Sequence, residues 1–318
     1  MTWMPFVCLA AGFFMGLHNL TERTLKRIDG IINIALVVLM MTIGMNIGIN
    51  DSVMSNLDSI GLNCLVICLC TIAFSILFTI IAEKTVLPLG KLREKLLLEN
   101  INLNSEINIS QDEKNKNSLL IWIMPSSIVI GVILGYFVMR HTLAFILDYL
   151  LIGSLIMLYV SVGISLGTNR KVFKYIKILG LRVIYISIAI FTGSLTGGLL
   201  AGIFLKIPLH TSVMSASGMS YYSLTGAYMT QVYGIEAGTY GFVVNVMREF
   251  FTVLLLPLLI RISIGSPIAS GAAGNMDTMI IPVTKFVGIE LGLVTLFTGV
   301  ILTFAVPFIL PALYALFS

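Results

Sequence analysis

The sequence predicts an all-α integral membrane protein built on inverted repeats. Three observations carry that prediction. Hydrophobic residues make up 58% of the 318 residues and charged residues 11%, and several apolar stretches exceed the roughly 18 residues that mark a spanning helix. A short apolar phrase occurs twice: Leu39 to Asp51 reads LMMTIGMNIGIND, and Leu158 to Arg170 reads LYVSVGISLGTNR. Two later apolar segments are interrupted by Ser, Gly and Asn, which a lipid-facing helix does not favour.

Ten apolar segments follow one another, near 4–17, 30–49, 60–82, 119–139, 142–167, 178–205, 211–231, 236–260, 266–286 and 288–317. Met1 is followed by Thr2 and Trp3 rather than by a basic stretch, so the first segment reads as a span and not as a cleaved signal. The separation of the two phrases, 119 residues, pairs Gly44 with Gly163, Gly48 with Gly167 and Asn50 with Asn169. Without a gap it also pairs Gly12 with Gly131, Gly16 with Gly135 and Gly61 with Gly180. Residues 1–83 therefore form one three-helix unit and 119–206 a second. Between them, 84–118 is a polar cytoplasmic loop rich in Asn, Glu and Lys, with an amphipathic helix expected around Leu92 to Leu98.

The remaining residues, 207–318, form a core containing both interrupted segments. Segment seven holds SASGMSYYSLTG (Ser215 to Gly226), and segment nine holds SPIASGAAGNMDTMIIP (Ser266 to Pro282). Each is followed by a similar junction, GIEAG at Gly234 and GIELG at Gly288. Irregular backbone at membrane depth is tolerated only where protein or a water-filled cavity surrounds it.

Basic residues set the orientation. With the N-terminus outside, the inner loops hold Arg23, Lys26, Arg27, Lys84, Lys91, Arg93, Lys95, Lys114, Lys116, Arg170, Lys171, Lys174, Lys177 and Arg182, and the outer loops only Arg140 and Lys206. Segment one then runs inward and segment four outward. The first repeat is inverted, as in secondary transporters whose substrate site lies between the halves. Two arrangements remain for segments seven and nine. As re-entrant hairpins they give about eight spans, both termini outside, and put Arg261 and Lys285 inside, which favours this arrangement. As broken crossing helices they give ten spans.

Several function classes are excluded. There is no H-E-x-x-H and no P-loop; His18, His141 and His210 stand alone at loops. Cys8, Cys64, Cys68 and Cys70 lie within apolar segments and read as small buried residues. No enzyme, metal site, cofactor or nucleic-acid partner is expected. The expected partners are the lipid bilayer and a small molecule, with a homodimer left open.

Charged groups at membrane depth are the informative ones, since each costs about 2.5–3.5 kcal/mol at a helix centre on insertion scales. Arg248 and Glu249 sit mid-segment in GFVVNVMREFFTVLLLP, about 100° apart around the helix, and Asn245 shares a face with Glu249. Glu249 reads as a cation or proton site, with a structural ion pair as the alternative for either charge. Asp277 lies in the broken segment beside Asn275, where a carboxylate and exposed carbonyls suit a cation. Capping is the alternative. Ser217, Ser220, Ser223 and Thr225 bind ligand or satisfy their own hairpin. Tyr221 and Tyr222 stack on a cation or anchor at an interface. Asp51, where the other copy of the phrase has Arg170, and Asn46 one turn earlier complete the candidates, and Asp148 reads as a partner for a nearby cation.

The run ASGMSYYSLTG (Ala216 to Gly226), the NVMREFF stretch (Asn245 to Phe251) with LLLPLLIR, and GAAGNMDTMIIPV (Gly271 to Val283) together resemble the prokaryotic lysine-exporter (LysO-type) family. The resemblance implies a multi-pass inner-membrane exporter of L-lysine by alternating access, an antiporter driven by a proton or sodium gradient. It also implies a pair of important intramembrane acids. Glu249 matches the second. Where the first would follow the glycine of the repeated phrase, this chain has Asn46, with Asp51 the nearest acid. That departure keeps open a different amino acid or a small organic anion as substrate on the same fold. A non-transporting membrane enzyme or sensor is the remaining class.

Overall fold

The computed structural model describes residues 4–17, 22–98, 114–137, 144–168, 181–288 and 291–317. Among these residues all regular secondary structure is helical. The order is α1 (Met4–Leu17), α2 (Glu22–Ile49), α3 (Asp51–Ser55), α4 (Leu57–Thr85), α5 (Leu89–Leu98), α6 (Lys114–Phe137) and α7 (Ala144–Thr168). There follow a 3-10 turn at Leu181–Val183, α8 (Ile184–Leu205), α9 (Leu209–Ser217), α10 (Tyr222–Tyr233) and α11 (Ile235–Ile262). Last come α12 (Ser266–Gly271), a 3-10 stretch at Ala272–Met276, α13 (Ile280–Val287) and α14 (Gly292–Phe317).

Among the described residues, α4, α8, α11 and α14 are long and apolar enough to cross a bilayer, and shorter apolar helices surround them. The chain is an all-α membrane protein. Two boundaries differ from expectation. Helix α2 begins at Glu22, so Arg23, Lys26 and Arg27 ride on its first turns rather than in a loop. The polar loop is helical at both ends, as α5 and as the first turn of α6, because Lys, Glu and Leu are good helix formers with or without lipid. Residues 99–113, His18, His141, Arg140 and the basic run at 170–177 lie outside the described residues.

Three helix pairs form the frame: α1 with α7, α2 with α6, and α4 with α8. The first two pairs meet through glycine. Gly12 and Gly16 lie on the backbones of Val160 and Ile164, and Gly163 and Gly167 answer from the other side. Gly44 and Gly48 lie on Ile128 and Val132, answered by Gly131 and Gly135. A Cβ at any of these positions would collide with main chain, so the helices approach as closely as small-residue seams allow. Contacts climb together along both chains in these two pairs, so the paired helices run parallel. The third pair is antiparallel: Gly193 meets Phe74 and Ser75, whereas Gly197 meets Cys70 and Thr71. At its middle Ser75 Oγ and Ser194 Oγ lie 2.9 Å apart, and these two serines are separated by 119 residues.

The core fills one side of this frame. Gly198 and Gly202 of α8 receive α9 through Ala216 and Ser212. Helix α10 packs antiparallel on α11, with Gly226 against Phe242 and Thr230 against Gly238. The His210 ring at the start of α9 stacks on Tyr233 at the end of α10, centroids 4.3 Å apart, and Tyr314 of α14 closes against Tyr233. On the other side of the core, Gly265 before α12 lies against Thr79 and Glu83 near the end of α4.

Candidate functional site

Both interrupted segments are interrupted in the structure, and the two breaks touch. The first runs from Ser217 to Tyr222, with Met219 at φ 48° and Ser220 at φ 81°. The second follows Gly271, with Ala272 at φ 48°. Such left-handed conformations are costly for residues with a Cβ and persist only where surrounding contacts enforce them. The Ala273 N–H donates to Met219 O at 2.9 Å and joins the two tips.

A break frees carbonyls and N–H groups that water cannot reach, so each needs a partner. Helix α11 supplies most of them. The Asn245 amide accepts from Ser220 N at 2.8 Å and donates to Ser215 O at 2.9 Å and to its own helix at Gly241 O. One turn on, Arg248 serves the second break. Its Nε donates to Ser270 O at 3.0 Å and one terminal nitrogen to Ala269 O at 3.0 Å, both carbonyls at the end of α12. The guanidinium also reaches Ser194 Oγ at 2.8 Å and Ser75 Oγ at 3.1 Å. It is 1% exposed. A cation against the negative end of a short helix is a favourable placement, and the planar fork lets one side chain hold four acceptors. Asn275 closes the same break with a bond to Ile268 O at 2.7 Å.

Glu249, the next residue, points elsewhere. It lines a cavity of about 220 Å³ together with Ser220, Tyr221, Tyr222 and Ser223 of the first break and Ala273, Gly274, Met276, Asp277 and Thr278 of the second. Leu36 of α2, Leu158 and Ser161 of α7, and Thr303 and Phe304 of α14 complete the lining. Thr278 connects the acids: its hydroxyl donates to Glu249 Oε1 at 3.0 Å and its N–H to Asp277 Oδ1. Asp277 is exposed and Glu249 partly so. The cavity thus offers two carboxylates linked by one threonine, beside hydroxyls and two tyrosines.

Of the candidates from the sequence, Glu249, Asp277, Ser220 and Ser223 line this cavity. Asn245, Arg248, Asn275 and Ser217 lie in the packing around the breaks, Ser217 donating to Met214 O at 2.7 Å. Asp51 is exposed in the first turn of α3, where Asn50 caps the helix by accepting from Val53 N. Asn46 is buried in α2 with its side-chain nitrogen unpartnered, away from the cavity lining. Asp148 is exposed on α7. Thr278, Ser161 and Thr303 were not singled out from the sequence; Thr278 was findable, since it follows Asp277 directly. Ser75 and Ser194 also escaped notice, although the 119-residue offset pairs them.

These features define an all-helical membrane protein in which two interrupted segments meet at an acid-lined cavity. The chain belongs to the lysine exporter LysO family, whose sequence profile matches residues 6–96 and 126–314. It is 31% identical over 157 residues to the lysine exporter LysO of Escherichia coli, an alignment covering 49% of this chain and 52% of that protein. It is 28% identical over 186 residues to a provisionally named lysine exporter of Haemophilus influenzae, covering 58% of this chain and 93% of the relative. The chain thus spans about half the length of the Escherichia coli relative it matches. No solved structure matches.

Proposed function

We propose that this protein is a secondary-active exporter of a cationic amino acid, L-lysine in keeping with its relatives' names, and that it works by alternating access. One observation carries the reading: Glu249 and Asp277 face a single cavity and are tied together by Thr278. An ammonium group leaving water requires counter-charge or hydrogen-bond acceptors along its path, and two carboxylates at that depth supply both. Arg248 would favour an anionic passenger if it faced the cavity, but it is not part of the cavity lining and is held by Ser75, Ser194, Ala269 and Ser270.

The architecture we infer is an inverted repeat with two re-entrant hairpins. Parallel packing of α1 with α7 and of α2 with α6, and antiparallel packing of α4 with α8, are the relations that inverted three-helix units require. The His210–Tyr233 stack brings the start of α9 back to the end of α10, which supports a hairpin entering and leaving on one side. The distribution of basic residues supports a reading with both termini outside the inner membrane. A proton or sodium gradient drives the cycle, and the carboxylates exchange their cation with it.

The test is efflux of labelled L-lysine from reconstituted vesicles under imposed pH and sodium gradients. Glu249→Gln keeps the shape of the side chain and removes its charge. It is expected to abolish export while the protein still inserts and purifies as wild type. Full lysine export by this variant would refute the assignment.

A further inference from the structure

The acids account for part of the cavity lining; the first break supplies another part. Helix α10 starts there, and Ser220, Tyr221, Tyr222 and Ser223 all line the space. No side chain caps this helix start. The first turn of an α-helix carries N–H groups without intrahelical acceptors and the positive end of the helix dipole. At most helix starts a capping side chain or water meets that need. Here Ser223 and Leu224 are buried.

A second, independent feature lies at the same spot. Ser220 is 3% exposed, and its hydroxyl has no hydrogen-bond partner. Its N–H is already taken by Asn245, so the donor left over is the side-chain hydroxyl. Its backbone sits at φ 81°, where glycine would be more comfortable. A serine held in a glycine conformation, with a buried and unused hydroxyl on a cavity wall, has a donor waiting for an acceptor.

We propose that the start of α10 and the Ser220 hydroxyl bind the carboxylate of an amino acid whose cationic end lies at Glu249 and Asp277. The proposal rests on the cationic-substrate reading and adds the orientation of the passenger. A carboxylate is acceptor-only and an ammonium donor-only. A cavity with donors at the first break and acceptors at Glu249, Thr278 and Asp277 therefore selects a molecule bearing both charges. A diamine of the same length satisfies only the acidic side and leaves the α10 start without its anion.

Competition against labelled L-lysine in reconstituted vesicles tests this. 6-Aminohexanoate keeps the carboxylate and the distal ammonium; 1,5-diaminopentane keeps two ammonium groups and no carboxylate. The expected result is that 6-aminohexanoate competes at least about tenfold better, the worth of a hydrogen bond to a charged group. Ser220→Gly removes the hydroxyl and suits the backbone, so it folds. It is expected to weaken 6-aminohexanoate severalfold and to leave 1,5-diaminopentane unchanged. Equal competition by the two compounds while lysine is still exported would overturn the carboxylate subsite and leave the cationic reading standing. Discrimination that survives Ser220→Gly in full would also overturn it, by placing the carboxylate elsewhere. If neither compound competes and lysine itself is not carried, the cationic reading fails, and this proposal with it.

Discussion

The break after α9 is closed by a neutral amide, and the break after α12 by a guanidinium. Both partners come from α11, three residues apart, yet they differ in what they enclose. Asn245 accepts from the freed Ser220 N–H and donates to Ser215 O, so a group that both donates and accepts is sufficient. At the second break the exposed atoms are carbonyls, Ala269 O and Ser270 O, so only a donor fits. A full charge holds them, and the serines of α4 and α8 take two more of its donors. A buried charge at this depth therefore need not belong to the passenger. Glu249 lies one residue beyond Arg248 and faces open space instead.

The contrast can be broken by substitution. Arg248→Met leaves the Ala269 and Ser270 carbonyls unpaired and is expected to cost on the order of 3–5 kcal/mol. Thermal melting of the detergent-solubilised protein measures it. Asn245→Ala strands the Ser220 N–H at the first break and should cost less, about 1–3 kcal/mol by the same measurement. Equal costs for the two variants would erase the distinction between a charged and a neutral clamp. Thr278→Val keeps shape and removes the hydroxyl that joins the acids. Melting should hardly move, while lysine export falls about tenfold, roughly 1.4 kcal/mol. The smallest effect is a gain: Ala272→Gly relieves the left-handed turn after α12 and should stabilise by up to about 1 kcal/mol, read as a rise of a few degrees.

Much of this was legible in the chain. Hydropathy located the helices because spanning segments must be apolar along their length, and Ser, Gly and Asn marked both breaks. Glu249 stood out because, away from the ends of its segment, nothing but Arg248 is charged. The division of labour between these neighbours was not legible. It depends on Ser75, Ser194 and Ala269, which approach Arg248 only after three helices have packed. Asn245 shares a helix face with Glu249 in sequence, but its short amide reaches the adjacent break and is used up there. Thr278 had only its place next to Asp277 to mark it, since hydroxyl residues occur throughout broken segments for their own backbone's sake.

The glycine seams of α1 with α7 and α2 with α6 bear on how any movement is distributed. Where two helices meet main chain to main chain along a glycine seam there are no rotamers to re-sort, so sliding one past the other would lift that backbone out of contact. Each pair is in effect a single double-width strut. Whatever gives way during a cycle must be sought where bulky, bendable groups meet, and Leu36, Leu158 and Phe304 at the cavity margin are surfaces of that kind.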